Sequence, residues 1–388
     1  MPGRVSTRLE LLSSVRGNTL VFPDLWQYCS HWPQAVNPGI DQLRKDVSDW
    51  LDKAIPSEKL REAYKIADIG LLGACVYPFA SYDRLRIAAL LNIWVFIVDD
   101  ELDMESGTMV DDLETSNKYR SELIDFVRRC LGLAQVADDD AGSESDSGSS
   151  NTSSSDSSSC AVKDTAYGHI IQSFAMLGRE IQDKYNVDQR QRLLDNVIFY
   201  LGMTREEQCS RLAGGIPTSE EYWKFRDGAS AVEVCLAMVE YLAKAQGLPK
   251  QVFEDEDMKR LWTLTNTNVS LVNDVFSAKK ELAGESIANA IPIWFAAAQP
   301  GEDRLKAATD RAVALFVQTV GEIDEVERKL MQKYGNGVLD ENLTKELQWF
   351  INGCRTWCTG NYYWSLRTPR YGRLGKTVGK NGCLYIPL

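Results

Sequence analysis

The chain has 388 residues, 44% apolar and 25% charged, an ordinary globular balance that permits a sizeable core. A formal net charge of -12 excludes the basic surface of a nucleic-acid binder. Only two histidines, His31 and His169, are present, so a His-rich metal site is excluded, and nine cysteines without framework spacing read as reduced thiols.

The N-terminal stretch MPGRVSTRLELLSS has no long apolar core and no clean cleavage site, so the expected location is cytoplasmic. Residues 40–55 place Leu43, Val47, Leu51 and Ile55 on one helical stripe. The apolar run Ile87–Val98 is too short to span a bilayer, so no membrane span is expected. It leads straight into Asp99, Asp100 and Asp103. Asp99 and Asp103 are four residues apart and share a helix face, with Asp100 beside them. Hard oxygen ligands on one face suit Mg²⁺, and a solvated acidic helix end explains them equally well.

Residues 138–160 are nearly all Ser, Asp and Gly and cannot bury enough apolar surface to order themselves, so a disordered loop between two helices is expected. Further on, Arg226 precedes Asp-Gly-Ala-Ser, where small residues favour a helix break that exposes backbone carbonyls. Asn273, Ser277 and Glu281 follow at spacings of four and drift only roughly 80° around a helix. An amide oxygen, a hydroxyl and a carboxylate in a row could chelate one Mg²⁺. Near the C-terminus, Pro369 disfavours helix at Thr368 and precedes Arg370 and Tyr371, which offer donors to phosphate oxygens. Taken singly, Arg226 also fits a surface ion pair, and Arg370-Tyr371 a loop anchor. Residues 372–388 read as an extended tail or flap. Most other segments keep helical period, so the expected fold is all-α, with ten or more helices around one core and a single domain spanning residues 1–388.

In this order the four pieces resemble the class I terpene synthases. ACVYPFASYDRLRIAALLNIWVFIVDDELD resembles the family's helix entering its aspartate-rich motif. NDVFSAKKE fits the family's second metal motif, and WSLRTPRY fits its C-terminal signature. The absence of a second helical domain is similar to microbial enzymes, fungal ones in particular. The resemblance implies an α-helical bundle around a central apolar cavity, and Mg²⁺-dependent ionisation of a prenyl diphosphate. Farnesyl diphosphate is the implied substrate, and a sesquiterpene hydrocarbon or alcohol the product. It also implies three Mg²⁺ ions, with Mn²⁺ able to substitute. Asp99 would hold two of them, with Asp100 and Asp103 assisting directly or through water and hydrogen bonds, and Asn273, Ser277 and Glu281 the third. Arg226 would sense the diphosphate, with Ala229 and Ser230 forming the break after it. Lys280, Arg370 and Tyr371 would donate to diphosphate oxygens.

An apolar, aromatic pocket would shield the carbocation. Trp94, Phe96, Tyr77, Phe276 and Trp357 are near the motifs, and core packing is the ordinary reading of each. Phe96, three residues before Asp99, is best placed to line the cavity, and Phe79 and Trp364 match family pocket positions. Prenyl chain elongation or another prenyl transfer is the alternative chemistry; Asn273 and Ser277, where elongating enzymes usually carry aspartates, favour cyclisation. A non-enzymatic helical scaffold with a phosphorylatable Ser/Asp loop is the remaining alternative. A monomer and a homodimer are both compatible with the sequence.

Overall fold

The computed structural model describes residues 7–103, 109–133, 168–243, 247–299, 301–335 and 337–388. The Ser/Asp-rich stretch at 138–160 lies outside the described residues. The fold is all-α, as the periodicity predicts. The stripe at 40–55 is observed as a helix, Ile40–Ala54, with Leu43, Val47 and Leu51 buried. One continuous set of buried apolar side chains runs from Leu11 to Ile386.

Four helices position the site. The aspartate helix, Tyr82–Asp103, is buried on nearly every side from Ile87 to Val98, which explains its unbroken apolar run. The arginine helix, Ser219–Ala229, starts on a capping box in which Thr218 and Glu221 satisfy each other's backbone N–H groups. The triad helix, Glu256–Ala283, is capped by Asp255. The C-terminal helix, Glu341–Arg367, is capped by Asp340 and stops at Thr368, whose extended backbone is what the following proline requires. Among the described residues, no helix is long and apolar enough to cross a membrane.

The C-terminal segment, expected as an extended tail or flap, is tied down at its end by a strand. Leu384–Pro387 forms a strand, β2, antiparallel to β1, Thr19–Phe22, with Leu20 opposite Ile386 and Phe22 opposite Leu384. Alternation decides this: Leu384 and Ile386 turn inward onto Leu20 and Phe22, while Tyr385 stays more exposed. The eight described cysteines are all free thiols, including Cys354 and Cys358.

The C-terminal helix crosses the helix Ile69–Val76 at Gly360. A Cβ at that position would lie 2.6 Å from the Cys75 carbonyl carbon and oxygen. Backbone cannot yield there as a flexible side chain would. Gly360→Val is expected to destabilise the fold by about 1–3 kcal/mol, measured by chemical denaturation.

Candidate active site

All four motifs sit at helix C-terminal ends. Asp99, Asp100 and Asp103 occupy the last turns of the aspartate helix, and Arg226 the last turn of the arginine helix. Asn273, Ser277 and Glu281 lie on the last turns of the triad helix. Arg370 and Tyr371 form a single tight turn, Pro369–Tyr371, just past the C-terminal helix. Such ends carry partial negative charge, so gathering them favours bound cations.

Two neighbouring residues join the aspartate motif to the Asn273–Ser277–Glu281 row. Arg370 Nη2 donates to Asp100 Oδ1 at 3.3 Å, and both side chains are largely buried. The Tyr371 hydroxyl accepts from Asn273 Nδ2 at 2.7 Å. Tyr64, which sequence reasoning missed, lies close enough to Asp100 for the carboxylate to act on its phenol. Burial pushes the Tyr64 phenol up, and the Asp100 charge adds to the shift. The Tyr200 hydroxyl reaches Asp99 Oδ1 at 3.4 Å. Lys280 lies within electrostatic reach of Asp99, Asp100, Glu281 and Arg370. Its ammonium is held below the usual lysine range, first by burial and then by Arg370, with the three carboxylates opposing.

On the triad helix, Arg226 Nη2 donates to Asn273 Oδ1 at 2.8 Å and to Asp274 Oδ1 at 2.9 Å. Asp274 is 1% exposed. Its Oδ2 accepts from the Tyr222 hydroxyl and from the Ala290 backbone N–H, the latter at 2.9 Å. Burial pushes the Asp274 carboxyl up to about 6, against the pull of Arg226. Glu281 Oε2 accepts from Asn289 Nδ2 at 2.8 Å. The sequence carried a signal for this support: Tyr222 is four residues before Arg226 and so on its face, and Asp274 adjoins Asn273.

The expected break follows Arg226. The arginine helix stops at Ala229, Ser230 caps it, and Ala231 turns left-handed at φ 56° before a short helix, Val232–Leu236. The Ser230 hydroxyl donates to Asn266 Oδ1 at 2.5 Å.

The aromatic expectations divide. Phe96 packs edge-on to Trp364 at 6.2 Å, with the Arg370 guanidinium 5.5 Å from its ring centroid. Trp364 is buried, meets Tyr371 at 5.4 Å, and donates its indole N–H to the Ala67 and Asp68 carbonyls. Phe79 is a correction. It is 55% exposed on the turn after Pro78 and lines no buried wall; Tyr77, two residues earlier, turns inward instead. Asp103 ends its helix, and its side chain lies outside the described residues.

A groove of about 490 Å³ opens beside Tyr64, lined by Arg44, Lys65, Asp68, Arg367 and Arg373 among others. It contains none of the motif residues and is too charged to be the expected apolar cavity.

The donor set fits a hard cation beside an anion. Its oxygens come from carboxylates, an amide and a hydroxyl, which suit Mg²⁺-like ions. Ser277 Oγ is buried without a hydrogen-bond partner, as are Arg226 Nε and Arg370 Nε. The hydroxyl oxygen matches a cation and the two guanidinium N–H groups match an anion. Among the described residues no three His, Cys, Asp or Glu side chains converge as a metal cluster, so the amide and hydroxyl oxygens would be needed to complete any site.

Comparison with known proteins agrees with this arrangement. Residues 91–321 match the family model described as terpene synthase family 2, C-terminal metal binding. The chain is similar to the sesquiterpene cyclase hepA of Aspergillus oryzae, 27% identical over 96% of this chain and 94% of that one. It is similar to the terpene cyclase braA of Annulohypoxylon truncatum, 23% identical over 95% and 90%. Among solved structures, a cucumene synthase variant matches with a TM-score of 0.68 at 22% identity, over 88% of this chain and 98% of that one. Germacradien-4-ol synthase from Streptomyces citricolor matches with a TM-score of 0.66 at 20% identity, over 86% and 96%.

Glu233, three residues past Ser230, gives a pH test of the break. Burial, then the nearby Asp227 charge, raises its carboxyl from 4.5 to about 7. The folded state therefore binds the proton more tightly than the unfolded chain between those values. Its contribution to stability is fully present below pH 4.5 and is lost as pH rises through about 7. Glu233→Gln is expected to melt progressively higher relative to wild type across that window, then to hold a constant difference, by thermal melts at stepped pH.

Proposed function

We infer the reaction from the chain's family: it belongs to terpene synthase family 2, and it is a terpene cyclase. Its substrate class is a prenyl diphosphate, and the family model that it matches over residues 91–321 is a metal-binding one, which implies use of a divalent metal. Membership removes the non-enzymatic scaffold alternative.

Within that class, the proposed substrate is farnesyl diphosphate and the proposed product a sesquiterpene. The full-length similarity to a sesquiterpene cyclase supports this choice. Asp99, with Asp100 and Asp103, would hold two Mg²⁺ ions, and Asn273, Ser277 and Glu281 a third. When bound, the ions stabilise negative charge on the leaving diphosphate as the allylic C–O bond breaks. Arg226, Lys280, Arg370 and Tyr371 would donate hydrogen bonds to the same oxygens, already fixed in place before the charge develops. Arg226 would exchange part of its bonding to Asn273 for the diphosphate, passing the signal to the Ala229–Ser230 break. Phe96 and Trp364 would exclude water from the carbocation and offer it their ring faces.

One observation carries this reading. Arg370 and Tyr371, adjacent in sequence, contact one metal motif each. A fortuitous acidic surface gives no reason for that convergence.

The test is turnover of geranyl, farnesyl and geranylgeranyl diphosphates with Mg²⁺, read as diphosphate release and as volatile product by gas chromatography. Farnesyl diphosphate is expected to give a C15 product, and intact substrate in all three reactions would contradict the reading. Chelation is expected to abolish turnover and Mn²⁺ to restore part of it. Asp99→Ala and Asn273→Ala are each expected to lose at least about a hundredfold in turnover, with helical circular dichroism unchanged.

A further inference from the structure

The groove beside Tyr64 takes no part in the site described above, and its charge opposes that of the whole chain. The chain carries a formal net charge of -12. In the groove, Arg44, Lys65, Arg367 and Arg373 are cations and Asp68 is the one lining carboxylate. Its volume, about 490 Å³, is that of a small-molecule site.

Two of these cations have carboxylate partners. Arg44 makes a forked contact with Asp68, at 3.0 and 2.7 Å. Lys65 Nζ donates to Asp52 at 2.8 Å. The other two are not neutralised. Arg367, the last residue of the C-terminal helix, stacks its guanidinium on the Tyr363 ring at 3.4 Å and donates to the Tyr363 carbonyl at 3.2 Å. Among the described residues, the Arg373 side chain makes no hydrogen bond and no ion pair. Arg373 is also held at φ 55°, directly after Gly372 at 81°. Glycine takes that backbone conformation freely and arginine does not. The fold therefore bears a local cost to keep a guanidinium at this position, and a guanidinium's fork of donors matches phosphate oxygens.

Apolar surface lines the same groove. Val47, Ile66, Ile69 and Pro369 all contribute, and Ile66 is 56% exposed. An inorganic anion has no use for that lining, whereas a hydrocarbon chain carrying a diphosphate uses both kinds of surface. The groove also shares a wall with the active site. Tyr64 lines the groove, and the Asp100 charge acts on its phenol. Along the turn after the C-terminal helix, Arg367, Pro369 and Arg373 line the groove, while Arg370 and Tyr371 between them contact Asp100 and Asn273.

We propose that this groove is a second binding site for a prenyl diphosphate, outside the metal site, with Arg367 and Arg373 holding the diphosphate and Val47, Ile66 and Ile69 covering the start of the chain. The proposal rests on the prenyl diphosphate reading of the substrate given above. Binding here needs no metal ion, because the one lining carboxylate is already bonded to Arg44. A substrate molecule held in the groove shares the Tyr64 wall and the turn at 367–373 with the metal site.

The experiment is calorimetric titration of the full chain, in chelator, with the unreactive farnesyl thiolodiphosphate. Wild type is expected to bind one equivalent. Arg367→Ala and Arg373→Gly are each expected to weaken that binding by about tenfold or more, while turnover of farnesyl diphosphate with Mg²⁺ is unchanged. Glycine suits the backbone at 373, so that variant is expected to fold even if the other does not. Inorganic diphosphate and farnesol, titrated in parallel, are each expected to bind about tenfold more weakly than the analogue or not at all. No binding in chelator overturns the proposal, and so does unchanged affinity in either folded variant. Inorganic diphosphate binding as tightly as the analogue overturns it too, by leaving an anion site only. Turnover lost together with binding places the ligand in the metal site and overturns it as well. All four outcomes leave the cyclase reading intact. A wild type that turns over no prenyl diphosphate contradicts that reading instead, whatever the groove binds.

Discussion

The site depends on a two-residue splice. Arg370 and Tyr371 follow one another past the end of the C-terminal helix, and each reaches a different motif. Without them, the aspartate and triad helices would bring carboxylates and negative helix ends together with little to oppose their repulsion. Arg370 places a cation against Asp100 and over Phe96. Lys280 adds a second buried cation between the same groups.

Support continues behind the splice. Asp274 is almost fully buried and makes hydrogen bonds with Arg226, Tyr222 and the Ala290 backbone. A carboxylate held this way would be costly if any partner were removed. It fixes the guanidinium that also contacts Asn273, and so ties the helix break at Ala229–Ala231 to the metal motif. A change at Arg226 thereby has a physical route to the helix break.

Much of this was legible in the sequence, because the motifs are local. Spacings of four placed Asp99 with Asp103, and Asn273 with Ser277 and Glu281; Pro369 marked the end of the last helix; and small residues marked the break after Arg226. The long-range partners were not legible. Nothing local links Tyr64 to Asp100 or Asn289 to Glu281, since those contacts exist only after helices pack. Phe79 was misplaced because an aromatic residue near a motif carries no sign of which way its turn faces. The C-terminal strand was missed because the Gly- and Lys-rich stretch before it masked the short alternation at Leu384–Pro387, whose partner strand lies at the other end of the chain.

On the proposed function, two helix ends, joined through Arg370 and Tyr371, grip one set of divalent ions. The most direct measurement is anomalous scattering from crystals grown with Mn²⁺ and inorganic diphosphate. The account predicts peaks at about 2.2 Å from oxygens of both Asp99 and the Asn273–Ser277–Glu281 row, with the diphosphate between them. Ions bound to one helix alone, or a diphosphate seated elsewhere, would contradict it.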